Sequence, residues 1–203
     1  MNRAKIKNDA KKMIEGNLWT ILKPALIVIV ISTLAGGISS AIFTDDTFLG
    51  QLCTYLISLA TMPLSYGLTA FILKFVRKEE VEYDEVFKYY SKFVPIFLLG
   101  LLMYIFIGLW SLLFVIPGII AAISYSQAMF IMIDGEEEPG ACIKKSKEMM
   151  YGYKWDYFVF MLSFFGWYLL CALTMGIALV YVAPYVSVSE ALYYEELKKI
   201  TKN

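Results

Sequence analysis

The sequence predicts an all-α fold of membrane-crossing helices, and three observations carry that prediction. The chain of 203 residues is 59% hydrophobic and 16% aromatic, with a mean hydropathy of +0.63, far above an ordinary soluble domain. Its apolar residues fall in runs with room for six segments of the roughly 20 residues that a helix needs to cross hydrocarbon. All eighteen Lys and Arg residues can be placed on one side of a membrane. Arg3, Lys5, Lys7, Lys11, Lys12 and Lys23 precede or open the first run; Lys74, Arg77, Lys78, Lys88 and Lys92 lie between the second and third. Lys144, Lys145, Lys147 and Lys154 lie between the fourth and fifth, and Lys198, Lys199 and Lys202 form the tail. Short loops rich in Lys and Arg stay in the cytoplasm, so an even number of spans is expected with both termini inside.

The first span is read as Leu18–Phe43. Ser39-Ser40-Ala41 has the small residues of a cleavage site, but the run is longer than the roughly 7–15 residues of a signal peptide, so a retained helix is the better reading. An acidic connector, Thr44–Thr47, leads to span two, about Phe48–Val76, in which Pro63 predicts a kink. Span three is about Phe93–Val115, and Pro117-Gly118 is read as a tight turn opening span four, Gly118–Ile133. Spans five and six, roughly Trp155–Leu173 and Ile177–Tyr194, are separated by Thr174-Met175-Gly176. One long helix over Trp155–Tyr185 would strand the basic tail outside, and the charge pattern decides for two.

Each pair of spans follows a short polar segment with apolar residues at helical spacing. Ile6, Ala10, Met13 and Ile14 share one face of the first; Tyr83, Val86, Phe87 and Tyr90 of the second; Cys142, Ile143, Ser146, Met149 and Met150 of the third. Such helices suit the inner membrane interface, with a solvated cap on the bundle as the plainer alternative. Lys11–Trp19 aligns with Lys147–Trp155, matching at Lys, Met, Gly and Trp. The fold class is therefore an all-α polytopic integral membrane protein: six transmembrane helices as three hairpins, each preceded by a cytoplasmic interfacial amphipathic helix. It forms a single membrane domain, 1–203, with units of about 1–76, 77–134 and 135–203.

What is missing narrows function. The chain has no histidine, the commonest general base and metal ligand. Cys53, Cys142 and Cys171 lack the paired spacing of a zinc or redox motif. There is no Gly-rich phosphate loop and no Gly-x-Ser-x-Gly elbow, and no cofactor is expected. Formal net charge is zero, and the segregated charges concern topology and anionic inner-leaflet lipids; they give no sign of nucleic-acid binding.

The second half carries a resemblance. Ile116-Pro117-Gly118-Ile119, Tyr125-Ser126-Gln127-Ala128, Asp134, Ser146-Lys147, Met149-Met150, Gly152 and Phe158 are its first residues. Leu162–Trp167, Thr174–Ile177, Pro184-Tyr185 and Tyr193-Tyr194 continue it. Over about residues 110–196 the chain resembles domain-of-unknown-function family 975, membrane proteins found in Gram-positive bacteria. The resemblance implies a polytopic membrane protein of no established activity. It also implies a distant likeness to the membrane domain accompanying some glycerophosphodiester phosphodiesterases, which is not their catalytic part.

A candidate polar pocket joins Ser124, Tyr125, Ser126 and Gln127 in span four with Ser163 in span five and Tyr181, Tyr185, Ser189 and Glu190 in span six. Tyr181, Tyr185, Ser189 and Tyr193 recur every four residues and share a helix face. Gln127 is expected inside the bundle with Tyr185 as its neighbour, because a buried amide needs partners. These groups either bind a lipid headgroup or small polar solute, or hold helices together, at about 0.6 kcal/mol each. Asp134, Asp156 and Glu190 are expected at the inner interface. The reading is a non-enzymatic membrane protein of the bacterial cell envelope, a maintenance factor or a partner of another membrane component. The alternative is a small carrier for a lipid or amphiphile.

Overall fold

In the computed structural model, residues 1–42 and 47–201 are described, without the side chains of 38–42, and every regular element among them is a helix. The connector around Asp45 and Asp46, together with Phe43 and Lys202, lies outside the described residues. The helices are α1 (Arg3–Ile14), α2 (Leu18–Ile42), α3 (Phe48–Arg77), α4 (Glu85–Lys88), α5 (Phe93–Leu113), α6 (Val115–Tyr125), α7 (Ala128–Ile133), α8 (Pro139–Met149), α9 (Lys154–Leu162), α10 (Phe165–Leu173) and α11 (Leu179–Thr201). A 3-10 turn, Tyr89–Lys92, joins α4 to α5 without a break.

Five of these stretches are long and apolar enough to cross a membrane: Leu18–Gly37, Phe48–Arg77, Glu85–Leu113, Val115–Ile133 and Lys154–Leu173. The sixth expected span, Ile177–Tyr194, falls in α11, which begins at Leu179 and carries Glu190, Glu195, Glu196, Lys198 and Lys199 in one continuous helix. Its charges separate it from the other five. Two expected spans are interrupted: α6 gives way to α7 at Ser126-Gln127, and α9 to α10 at Ser163-Phe164. The turn expected at Pro117-Gly118 sits instead at Phe114, which is fully extended, and Pro117 lies in the first turn of α6 where its missing N–H costs little.

The aligned segments Lys11–Trp19 and Lys147–Trp155 form the same joint. In each a polar helix ends, the chain turns through a glycine, and an apolar helix begins within four residues of it; Gly16 has φ +84° and Gly152 φ +82°. Only glycine takes this left-handed backbone without strain. The middle unit lacks the joint. Its expected helix over Glu82–Lys92 begins only at Glu85, and it runs straight on into α5.

Each of the three pre-hairpin segments runs antiparallel to a returning helix. On α3, Tyr83 stacks on Phe71, Glu85 pairs with Lys74, Val86 meets Gly67, and Tyr90 reaches Ala60. A Cβ on Gly67 would stand 2.1 Å from the Val86 carbonyl oxygen, so only glycine permits the approach. On α7, Lys145 and Cys142 meet Glu136 just beyond the helix, and Ser146 meets Gln127. α1 packs on α11 and keeps step with α9 and α10: Arg3 pairs with Asp156, Lys7 reaches Ser163, and Lys11 lies over the Trp167 ring. Each leading segment thus covers the returning helix of another unit, and α1 on α11 closes the ring. This places Ile6, Ala10, Ile14, Val86, Cys142, Ser146 and Met150 in the core.

The returning helices converge on one ionic cluster. Arg77, at the end of α3, donates to Asp134 after α7 and to Glu195 of α11, each at 2.6 Å. Lys198 also binds Asp134, and the Tyr194 hydroxyl donates to it at 2.7 Å. Burial raises the Asp134 pKa, but the donors Lys198, Tyr194 and Arg77 outweigh it and hold the carboxyl below the ordinary aspartate value. A depressed folded-state pKa contributes stability that is present above the unfolded value and lost as pH falls through the folded one. Thermal unfolding in detergent, followed from pH 7 down through the carboxylate range, should show a fall in stability at the acid end. Asp134→Asn should be less stable at pH 7 and flatter with pH; an unchanged slope would remove Asp134 from the acid response.

Candidate functional site

The polar residues expected in one pocket divide among three places. Tyr125 turns toward α5, where its ring lies 6.3 Å from Phe106. Tyr181 and Tyr185 join an aromatic seam with Phe164 and Trp167, with the Phe164–Tyr185 and Trp167–Tyr185 centroids 5.4 and 5.7 Å apart. Ser163 belongs to the α9–α10 break, and Ser189 donates to the Tyr185 carbonyl in its own helix. Gln127 is buried at 1% exposure, and its amide nitrogen donates to Ser126 Oγ at 2.9 Å and not to the expected Tyr185. Ser124, Ser126, Gln127 and Glu190 gather at one spot around Tyr157, which faces Ser126, Gln127 and Glu190.

The break in α6–α7 organises that spot. A helix that stops and restarts leaves carbonyl and N–H groups without partners, and in apolar surroundings each costs about 1–3 kcal/mol or more. Ser146 of α8 satisfies both sides. Its hydroxyl donates to the Ser124 carbonyl at 2.8 Å and accepts from the Gln127 N–H at 3.1 Å. The residue is fully buried. Ser146 was read on the apolar face of its helix and not as part of the pocket; its pairing depends on the antiparallel register of α8 on α7.

The same device recurs twice. At the α9–α10 break, Trp167 and Tyr168 both bond back to the Phe164 carbonyl, which leaves the Ser163 carbonyl free. Lys7 of α1 donates to it at 3.3 Å and to Ser163 Oγ at 3.0 Å, with its ammonium 4.6 Å from the Phe164 ring centroid. Near Pro63, whose missing N–H loosens α3, the Tyr90 hydroxyl donates to the Ala60 carbonyl at 3.0 Å. Each leading segment therefore sends one polar side chain to an interrupted or proline-bearing helix.

Two polar groups are left over. Gln127 Oε1 is buried and has no hydrogen-bond partner among the described residues. Glu190 has no ion pair among the described residues and lies near Tyr157 and Tyr168, whereas Asp134 and Asp156 are held by Arg77, Lys198 and Arg3. Among the described residues, no three His, Cys, Asp or Glu side chains are grouped to hold a metal ion. Burial, helped by Glu136, pushes the Cys142 thiol up to about 11, so it stays protonated.

The roles of the serines separate by mutation. Ser146→Ala orphans the Ser124 carbonyl and the Gln127 N–H and should cost about 1–3 kcal/mol. Ser124→Ala removes only a hydroxyl bonded to Ile120 of its own helix, and should cost within about 0.5 kcal/mol. Thermal unfolding of the two purified variants compares them; equal losses would mean that Ser146 does not hold the break.

Comparison with protein-family models finds one described as "Protein of unknown function (DUF975)", which matches residues 1–124 and 112–201. Neither the curated proteins nor the solved structures contain a match.

Proposed function

The chain belongs to the DUF975 family of proteins of unknown function, and from that premise we propose a non-enzymatic multi-pass protein of the bacterial cell membrane that acts by association with another membrane component in envelope maintenance. The proposed topology has six spans, with α11 as the last and both termini cytoplasmic. What supports the reading is where the polar groups go. Ser124, Ser126, Ser146 and Ser163 are engaged with backbone or with one another, as in packed helices, instead of converging on one open cavity. The outgoing helices meanwhile leave broad apolar surfaces uncovered, including Tyr104, Leu109 and Leu112 on α5. Such surfaces suit lipid or a neighbouring membrane protein.

Topology is the first test. In a variant lacking Cys53, Cys142 and Cys171, a cysteine at Asp46 should react with an impermeant reagent added outside intact cells, and one at Lys145 should not. The reverse pattern would overturn the orientation, and with it the placement of the basic segments inside.

The second reading, a small carrier for a lipid or amphiphile, is favoured by one observation: the unpartnered Gln127 Oε1 beside Tyr157 and Glu190. Gln127→Leu discriminates. If the residue only packs, losing the Ser126 bond should change thermal stability alone. Lost binding of a lipid or amphiphile at unchanged melting temperature would favour the carrier.

A further inference from the structure

Two adjoining clefts flank α6 and share Ile120 and Lys154. One, of ~430 Å³, is walled by Ile116, Ile119, Ile123 and Phe158 with Trp155 at its edge. The other, of ~260 Å³, brings Lys147 together with Lys154 beside Trp110 and Tyr125. Among the described residues neither lysine forms an ion pair, although Arg77, Lys74, Lys88, Lys92, Lys145 and Lys198 all do. Lys154 is half-buried at the head of α9. Two cations without counter-charges thus stand at one end of an almost wholly apolar groove. From Ile123 to Ile116 the groove follows α6 for about 10 Å, a large part of one leaflet's hydrocarbon depth.

We infer that this groove is a binding site for an anionic phospholipid. Its phosphate sits between Lys147 and Lys154, and one acyl chain lies between α6 and α9 against the isoleucines and Phe158. The chemistry is complementary at both ends. Lysines answer a phosphate as point charges, and the cleft that would take the acyl chain is walled by apolar side chains apart from Lys154 and Trp155. Trp155 is exposed beside Lys154, and its amphipathic ring suits the headgroup level. The inference rests on the membrane-embedded reading above and names the lipid such a protein would hold.

The test uses the full chain purified in a neutral detergent. Phosphatidylglycerol should bind at least tenfold more tightly than phosphatidylcholine of the same chains, read by native mass spectrometry, and inorganic phosphate alone should not compete. Lys147→Gln with Lys154→Gln should remove that preference, whereas Lys144→Gln, an exposed lysine outside both clefts, should retain it. As a check that needs no variant, phosphatidylglycerol with a photoreactive acyl chain should cross-link to peptides of α6 and α9. Equal binding of the two lipids, a preference surviving the double substitution, or cross-links spread evenly over all spans would each overturn the site. Cysteine labelling keeps the two proposals apart. Labelling as expected with no lipid preference sinks the lipid site alone; reversed labelling sinks the topology even where the preference holds.

Discussion

The cluster of Arg77, Asp134, Glu195, Lys198 and Tyr194 is the tie on which the arrangement depends. It joins the ends of α3, α7 and α11, the three helices that carry the chain back. The charges are partly buried, so each carries a desolvation cost that its neighbours offset. Removing one member of such a set strands the others, at about 3–5 kcal/mol where burial is complete. Arg suits its position because a planar guanidinium reaches two carboxylates at once, which a single ammonium does in poorer geometry. With these ends fixed, the grooves beside α3, α7 and α11 are defined, and α4, α8 and α1 fill them.

Filling those grooves also solves a backbone problem. Helices interrupted at Ser126-Gln127 and at Ser163-Phe164, or loosened at Pro63, expose main-chain groups that apolar surroundings cannot satisfy. Ser146 and Lys7 supply the missing partners at the two breaks, and Tyr90 adds a bond to the Ala60 carbonyl near Pro63. The polarity of the spans is therefore largely internal upkeep. Gln127 Oε1 and Glu190 are the groups that this accounting leaves over, and the lysines of the α6 clefts are left over in the same way.

Much of the architecture was legible because it rests on local chemistry. The long apolar runs gave the helices, and the paired Lys-Met-Gly-Trp segments marked joints whose glycines share a φ within a few degrees. The breaks were not legible. Ser126-Gln127 and Ser163-Phe164 contain neither Gly nor Pro, and what permits them is a donor 22 or 156 residues away. The pocket misread has the same origin. Tyr181, Tyr185 and Gln127 each sit on an inward face, as periodicity indicates, but periodicity says nothing about which neighbour a face meets. Trp167 and Phe164 took the tyrosines, and α8 took the break beside Gln127. In the middle unit Tyr83, Phe87 and Tyr90 share a face by spacing, yet Glu85 and Val86 are the buried residues of that segment.

The closure of the ring by α1 on α11 has a consequence for the order of assembly. Lys7 and Ser163 are 156 residues apart, so α1 is made well before the helices it packs on. At the usual pace of synthesis that separation lasts on the order of 10 to 30 s. For that interval Ile6, Ala10 and Ile14 have no bundle to enter. A basic helix with one apolar face can rest on the membrane surface meanwhile, which is the setting that its sequence pattern describes. The pattern of α1 then reflects its waiting place, and the buried face reflects its destination.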